Sequence, residues 1–549
     1  MDLSGQISTE EREAMRRAKI DVGLSLQILE TLNRGGVDRN SSNFGSASAT
    51  AATDFEIPTV DGKDIVDLSG PLSYRVKGAR IHELLQQYPE LQAGWPARYA
   101  KAGAAEDLSV NEQEINELGL LLSPYFAFGV LNGGSASSYF DNKKNESFSP
   151  ELFRLFRREF DGLARDFSHL PKALCPAFLT EQGPGPGFMG LKLRSLLYTI
   201  QRQRALRRRC GLSAEAAQQP KFFQMTSELT HGPLRNYIYG PSCQLEGTAG
   251  TWRGDPAGLE SLAAELGWWP DRQISSEKQP LISTFARSAD PGTDSGSRWQ
   301  FFRDRNGNHL AMPGGHGQCF FALRQRLEEL YRKGTRYISL GNIDNVAYNP
   351  QPGFIGLLAL SGRTGFFSCS YRSSVDVKGG VLLRPRSGSG AGRLNCFDIG
   401  TGVDKDILQI AEEKERDLLF NCAIGYFDLG ALLAEMENII ACLPLRISEQ
   451  NKDRGHYWQV EQVTWEAIGL LDSVLIGAVR KEDHFLAAKL QLEALVNTAY
   501  RLECYEGKSE GESPEESLHD LAVLARRFAA GYAKVLQRDC NYAGFGQGH

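Results

Sequence analysis

Nowhere in the chain do two cysteines stand in a Cys-x-x-Cys spacing, although there are 10 cysteines, scattered singly from Cys175 to Cys540. That absence excludes zinc ribbons and thioredoxin-type redox sites. The thiols are expected to be reduced and to pack as small hydrophobic side chains. Long apolar runs are also missing. The longest, residues 119–131, is interrupted by Ser123 and Pro124 and is too short for a bilayer. Residues 1–17 are polar and charged, with nothing of signal-peptide type. The expectation is a cytoplasmic protein that contacts no membrane. Positive charge is not in excess: 61 Lys and Arg face 67 Asp and Glu, for a net charge of −6. No global field therefore invites nucleic acid. The one dense basic run, Arg202, Arg204, Arg207, Arg208 and Arg209, closes an apparent helix just before Gly211, where cations suit the negative helix end. No Ser-His-Asp ordering, His-Glu-x-x-His helix, Walker loop or solenoid repeat stands out. A literal G-x-G-x-x-G at Gly185, Gly187 and Gly190 is rejected as a dinucleotide fingerprint, because Pro184 and Pro186 interleave it and no strand precedes it.

What is present is an ordinary globular composition on a long chain. Hydrophobic residues make up 41% and charged residues 23% of 549 residues, enough for a large core and more than one simple domain. Ser8 followed by Glu11 reads as a capping box opening a helix to about Leu32. A Gly/Ser/Ala/Asn-rich linker covers 35–53, and residues 58–123 read as mostly helical. From Tyr125 onward, strand-like runs alternate with helical patterns; the strand-like runs include 125–131, 336–340, 354–360, 365–370 and 380–383. That alternation predicts an α/β fold with a mixed, mostly parallel sheet. Polar loops interrupt it at 288–297 and 384–393. Residues 460–479 and 485–500 read as helical, and an acidic linker at 507–516 precedes a last helix near 518–535. The expected organisation is a helical N-terminal region at 1–120, a catalytic domain at 121–440 and a helical C-terminal region at 441–549.

Three segments have the composition of a ligand site. Leu131-Asn132-Gly133-Gly134-Ser135 follows a strand, and glycines there let the backbone turn and bring N–H groups to a phosphate. An ordinary tight turn is the plainer alternative. Pro313-Gly314-Gly315-His316-Gly317-Gln318 sets one histidine among glycines, a bare wall that a flat base or a sugar could approach. Asn342-Ile343-Asp344-Asn345 ends another strand with a single carboxylate, which suits Mg²⁺ with its preference for one or two protein oxygens plus phosphate and water; an Asx turn is the competing reading. The first and third belong at the carboxyl edge of the sheet, where open α/β folds bind ligands.

In this order the motifs resemble the UDP-sugar pyrophosphorylase family, which includes UTP–glucose-1-phosphate uridylyltransferase and UDP-N-acetylglucosamine pyrophosphorylase. The resemblance covers roughly residues 125–495. It implies a Rossmann-like (GT-A-type) nucleotidyltransferase domain and a Mg²⁺-assisted reaction of UTP with a sugar 1-phosphate. It further implies nucleotide contacts at Leu131, Asn132, Gly133, Gly134, Ser135, Met225, Gly315 and His316, and sugar contacts at Asn342, Lys378 and Asn421. Asp344 would be the metal ligand, and Lys172 and Lys489 would be the catalytic lysines. Asp376-Val377-Lys378-Gly379-Gly380 is similar to the glucose-specific branch, which favours glucose 1-phosphate over N-acetylglucosamine 1-phosphate. The chain departs from the family pattern at Ser135-Ala136-Ser137-Ser138, where Gly-x-Gly-Thr is usual, and at Gln318, where an acidic residue is common. Pro171-Lys172 is separated from the glycine loop by a helical insertion near 151–167, and Lys143 and Lys144 lie closer to it. A glycosyltransferase and a non-catalytic nucleotide-sugar sensor are the rival readings.

Overall fold

The computed structural model describes residues 7–34, 50–180, 183–216, 218–240, 255–288, 298–372, 379–388, 390–498 and 513–542. Its centre is a twisted sheet built on eight strands: β1 (Ile65–Asp67), β2 (Phe126–Asn132), β3 (Lys221–Thr226), β4 (Ile274–Lys278), β5 (Tyr337–Asn342), β6 (Gly365–Tyr371), β7 (Leu419–Asp428) and β8 (Val474–Val479). They lie in the order β1-β8-β6-β7-β5-β2-β3-β4. Only β7 runs antiparallel to its neighbours β5 and β6; the other pairs are parallel. The expected α/β fold with a mixed, mostly parallel sheet is therefore present.

Side-chain alternation explains why the sheet sits between two layers. Along β2, Phe126, Phe128 and Val130 enter one hydrophobic cluster, while Ala127 and Leu131 enter the other. Every residue of β2 is buried, as a parallel strand covered on both faces requires. Each fully buried Phe or Leu of this kind contributes roughly 1.5–3 kcal/mol relative to exposure.

Several sequence expectations need correction. Residues 354–360 are not a strand but lie in the helix Pro352–Ser361. Pro352 sits in its first turn, and nearly every side chain is buried, so the segment has no polar face to reveal a helical period. Residues 460–479 are not one α-helix: Gly455–Glu461 is a hairpin strand, Thr464–Gly469 is a short 3-10 helix, and β8 joins the central sheet beside β6. A continuous apolar run such as Val474–Val479 reads equally as buried helix or buried parallel strand. Residues 485–490 precede the short helix Gln491–Asn497 and are not part of it. Within 58–123, helices Gly78–Gln87 and Glu112–Leu122 are accompanied by an antiparallel pair of strands, Ser73–Lys77 with Asp107–Asn111, and by β1. The first helix, N-capped by Ser8, is broken into Thr9–Arg17 and Val22–Asn33 at Lys19, whose φ is +61°.

Other expectations stand. The basic run closes the helix Phe188–Arg209, and its arginines are spent on neighbours: Arg204 donates to Leu266 O, Arg207 to Ser213 O and Arg209 to Glu117. The glycine loop and Lys172 are separated by helices Asn142–Phe148, Pro150–Leu155 and Arg157–Phe167. Cys175, Cys319, Cys369, Cys396, Cys422 and Cys540 are free and buried. Among the described residues no helix is long and apolar enough to cross a membrane. Most of the linker at 35–53, the loop 288–297 and the acidic linker at 507–516 lies outside the described residues.

Candidate active site

Strand direction decides where the motifs meet. Because β2, β3, β4 and β5 are parallel, Asn132, Thr226, Lys278 and Asn342 all end at one edge, with Asn342 paired to Leu131 and Asn132 paired to Thr226. β7 runs the opposite way, so its first residues, including Asn421, reach the same edge. Residues far apart in the chain thus converge by topology alone.

Asp344 is the hub. Its carboxylate Oδ2 accepts from Lys172 Nζ at 2.7 Å and from Lys489 Nζ at 3.1 Å. Lys172 is buried, donates also to Ala488 O at 2.5 Å, and lies 4.9 Å from the ring centre of Tyr139. Its own backbone N–H donates to Gly134 O, and Ser135 bridges Pro171, so the glycine loop and this lysine are one unit. Lys489 differs in kind: its side chain is 60% exposed and opens to solvent. Burial opposes a charge on Asp344, yet the ammoniums of Lys172 and Lys489 hold its carboxyl well below the ordinary range. The carboxylate therefore stays ionised near neutrality.

Two glycine loops flank this hub. A Cβ on Gly134 would meet nothing, and one on Gly133 would come no nearer than 3.4 Å to Gln279 Oε1. Gly314–Gly317 is packed instead. Gly315 has φ +79°, and a Cβ there would stand 2.4 Å from Gln462 O. The bare wall read from these glycines is thus partly taken up by the Gln462 backbone. His316 Nδ1 accepts the N–H of Thr464 at 3.2 Å, which leaves the proton on Nε2. Burial, reinforced by Lys489 and Arg446, pushes the imidazole down to about 4, so it is neutral at pH 7. Gln279 ties the loops together: its N–H donates to Thr226 O, and its Nε2 donates to Gly315 O at 2.6 Å and to Gln318 Oε1 at 3.0 Å.

The sequence model of the family described as UTP–glucose-1-phosphate uridylyltransferase matches residues 272–524. The match spans a little under half of the chain. The fold carries the likeness across nearly the whole chain. A uridine diphosphate N-acetylglucosamine pyrophosphorylase from Trypanosoma brucei, solved with an inhibitor, superposes over 96% of this chain and 92% of its own, with a TM-score of 0.54 at 13% identity. A mutant of UDP-glucose pyrophosphorylase from Leishmania major is 16% identical over 69% of this chain, with a TM-score of 0.44, and the chain spans 66% of its length. Another mutant of the same enzyme, in complex with UDP-glucose, is 15% identical over 89% of this chain and 79% of its own, with a TM-score of 0.49. No curated protein matches the chain.

Of the residues marked from the sequence, Gly133, Gly134, Ser135, Lys172, Gly315, His316, Asp344, Asn421 and Lys489 lie on the strand-end edge or on the segments packed against it. Asn342 is the last residue of β5, and Asn421 Oδ1 accepts the N–H of Ala423 at 2.7 Å. Leu131 and Met225 are buried in the hydrophobic cluster on one sheet face, so their side chains do not line the cleft. The Asn132 side chain is likewise turned inward, donating to Gln224 Oε1 at 2.8 Å. Lys378 lies outside the described residues. Lys144 donates to Ser138 Oγ at 3.1 Å, beside the altered part of the loop. Sequence reading missed Gln279, Thr464, Tyr139 and the Ala488 carbonyl.

Proposed function

We propose that the chain is a uridylyltransferase that joins UTP to a sugar 1-phosphate, glucose 1-phosphate in the first instance, and releases pyrophosphate. The observation that carries this reading is the Lys172–Asp344–Lys489 trio beside an open glycine loop. Such a reaction needs positioning and charge neutralisation rather than a protein nucleophile. A sugar-phosphate oxygen forms a bond to the α-phosphorus while the bond from that phosphorus to the bridging oxygen of pyrophosphate breaks. Asp344 acts as the resting counter-ion of two lysines. Arriving phosphates compete for those ammoniums, and Lys489, the exposed one, is free to follow the charge that builds on the leaving group. Lys172, fixed by Ala488 O and Tyr139, acts as a stationary cation. Backbone N–H groups of the 133–135 loop cradle the nucleotide, and His316 Nε2–H adds a neutral donor from the opposite wall.

The residues fit a divalent cation brought with the nucleotide. Asp344 Oδ1 is buried and has no hydrogen-bond partner among the described residues, which leaves one oxygen for a metal. No group of three or more His, Cys, Asp or Glu side chains able to hold a bare ion occurs among the described residues. Mg²⁺ suits a single carboxylate when phosphate oxygens and water complete its shell. When bound, Mg²⁺ would supply charge neutralisation and orientation of the phosphates.

Pyrophosphate release from UTP, assayed with glucose 1-phosphate and with N-acetylglucosamine 1-phosphate, tests the reading. Turnover is expected with at least one of them, and faster with glucose 1-phosphate. UDP-sugar binding without turnover of any sugar 1-phosphate would instead make the chain a sensor.

A further inference from the structure

Lys192 is the one described lysine with no exposed surface, and the reaction above does not use it. It stands in the first turns of the helix Phe188–Arg209, and its ammonium points into the turn that follows β5. Nζ donates to Asn345 O at 2.6 Å, to Tyr348 O, and more loosely to Val346 O at 3.4 Å. An ammonium has three N–H donors and no acceptor, so these three carbonyls use all of them. A buried cation is costly unless fully hydrogen-bonded, and this one is matched by backbone dipoles instead of a carboxylate. Burial nevertheless pulls it down to about 7, partly offset by Cys540, Asp539 and Asp344.

The turn that Lys192 holds follows Asp344 and is bonded to the segment that leads to Lys489. Asp344 immediately precedes Asn345. Asn345 Oδ1 accepts the N–H of Leu486 at 2.9 Å, its Nδ2 donates to His484 O at 3.0 Å, and its backbone bridges Ala487. Val346 N–H donates to Leu486 O, and Ala488 N–H to Asp344 O. The 484–488 segment that delivers Lys489 is thus bonded to the same few residues. Tyr348 anchors the far side: its hydroxyl reaches Gly129 O and Ser339 Oγ, and its ring fills the space where a Cβ on Gly341 would stand at 2.6 Å.

We infer that Lys192 is a positioning residue, whose three carbonyl bonds set the spacing of Asp344 and Lys489 without touching substrate. This rests on the uridylyltransferase reading for its kinetic consequence but not for its structural one. The test uses the full chain carrying Lys192→Met, which keeps the unbranched stem of the side chain and removes every donor. A misplacement of about 1 Å in such a site lowers turnover on the order of 10²-fold. The expected result is a kcat loss of that size, a UTP KM within about 3-fold of wild type, and a higher Mg²⁺ requirement. Backbone hydrogen exchange should accelerate at residues 345–348 and 486–488 and stay unchanged in β2 and β3. A variant with a lower Tm, but with kcat per folded molecule and exchange at these amides unchanged, overturns the inference. Lys192→Gln, which retains two donors on a shorter stem, stands in if the methionine variant does not fold. Failure of both to fold also overturns it, leaving a purely structural lysine. Wild-type protein that releases no pyrophosphate from UTP with any sugar 1-phosphate would sink the enzymatic reading alone, and the exchange comparison would still decide Lys192.

Discussion

The two glycine loops at the sheet edge look alike in sequence and differ in what their missing side chains accomplish. At 133–134 the absence of Cβ leaves space that no protein atom fills. At 315 and 317 the same absence is consumed by packing against Gln462, and Gly315 also occupies left-handed backbone that other residues reach only with strain. One loop keeps room for a ligand, and the other locks His316 and Thr464 into place. A glycine-rich motif therefore marks a close approach, without saying whether the approaching partner is a ligand or the protein itself.

The comparison sorts the consequences of mutation into rate and stability. Asp344→Ala is expected to have the largest effect, because it strips the buried Lys172 of its carboxylate. A kcat loss beyond about 10³-fold should accompany destabilisation on the order of 3–5 kcal/mol, read by denaturant unfolding beside the kinetics. Near-wild-type turnover in a folded Asp344→Ala protein would remove this carboxylate from the chemistry. Lys489→Ala should cost about 10²–10³-fold in kcat and leave Tm nearly unaltered, since its ammonium is mostly solvated. A large drop in Tm would instead assign this lysine to scaffolding. Gly315→Ala belongs to the packed wall and should lower stability by roughly 1–3 kcal/mol, the clash with Gln462 adding to the backbone strain. Gly134→Ala should be smallest, with stability within about 0.5 kcal/mol of wild type, while the UTP KM rises because the new methyl enters the open space. Equal destabilisation by the two alanines would erase the distinction between the loops.

Much of the central sheet was legible in the sequence, because β2, β5 and β6 are apolar runs that end in polar turns. The helix Pro352–Ser361 and the strand Val474–Val479 were misread for one reason: both are buried all round, and burial on every side erases the period that separates helix from strand. Within the site, Asp344 and Lys489 were visible through their motifs. The Lys172–Asp344 contact, 172 residues apart in the chain, depended on topology. Gln279, Thr464 and Lys192 left no trace, since they work through backbone carbonyls and amides that any residue can supply.

Among the described residues β1 pairs with β8 alone, so a strand near residue 65 has no such partner until residues 474–479 exist. β8 also covers one edge of β6 and leads directly to Lys489. During synthesis, the sheet must wait with two open edges while some four hundred residues emerge. The last strand of the sheet closes both at once, so completion of the sheet and arrival of the second lysine come together.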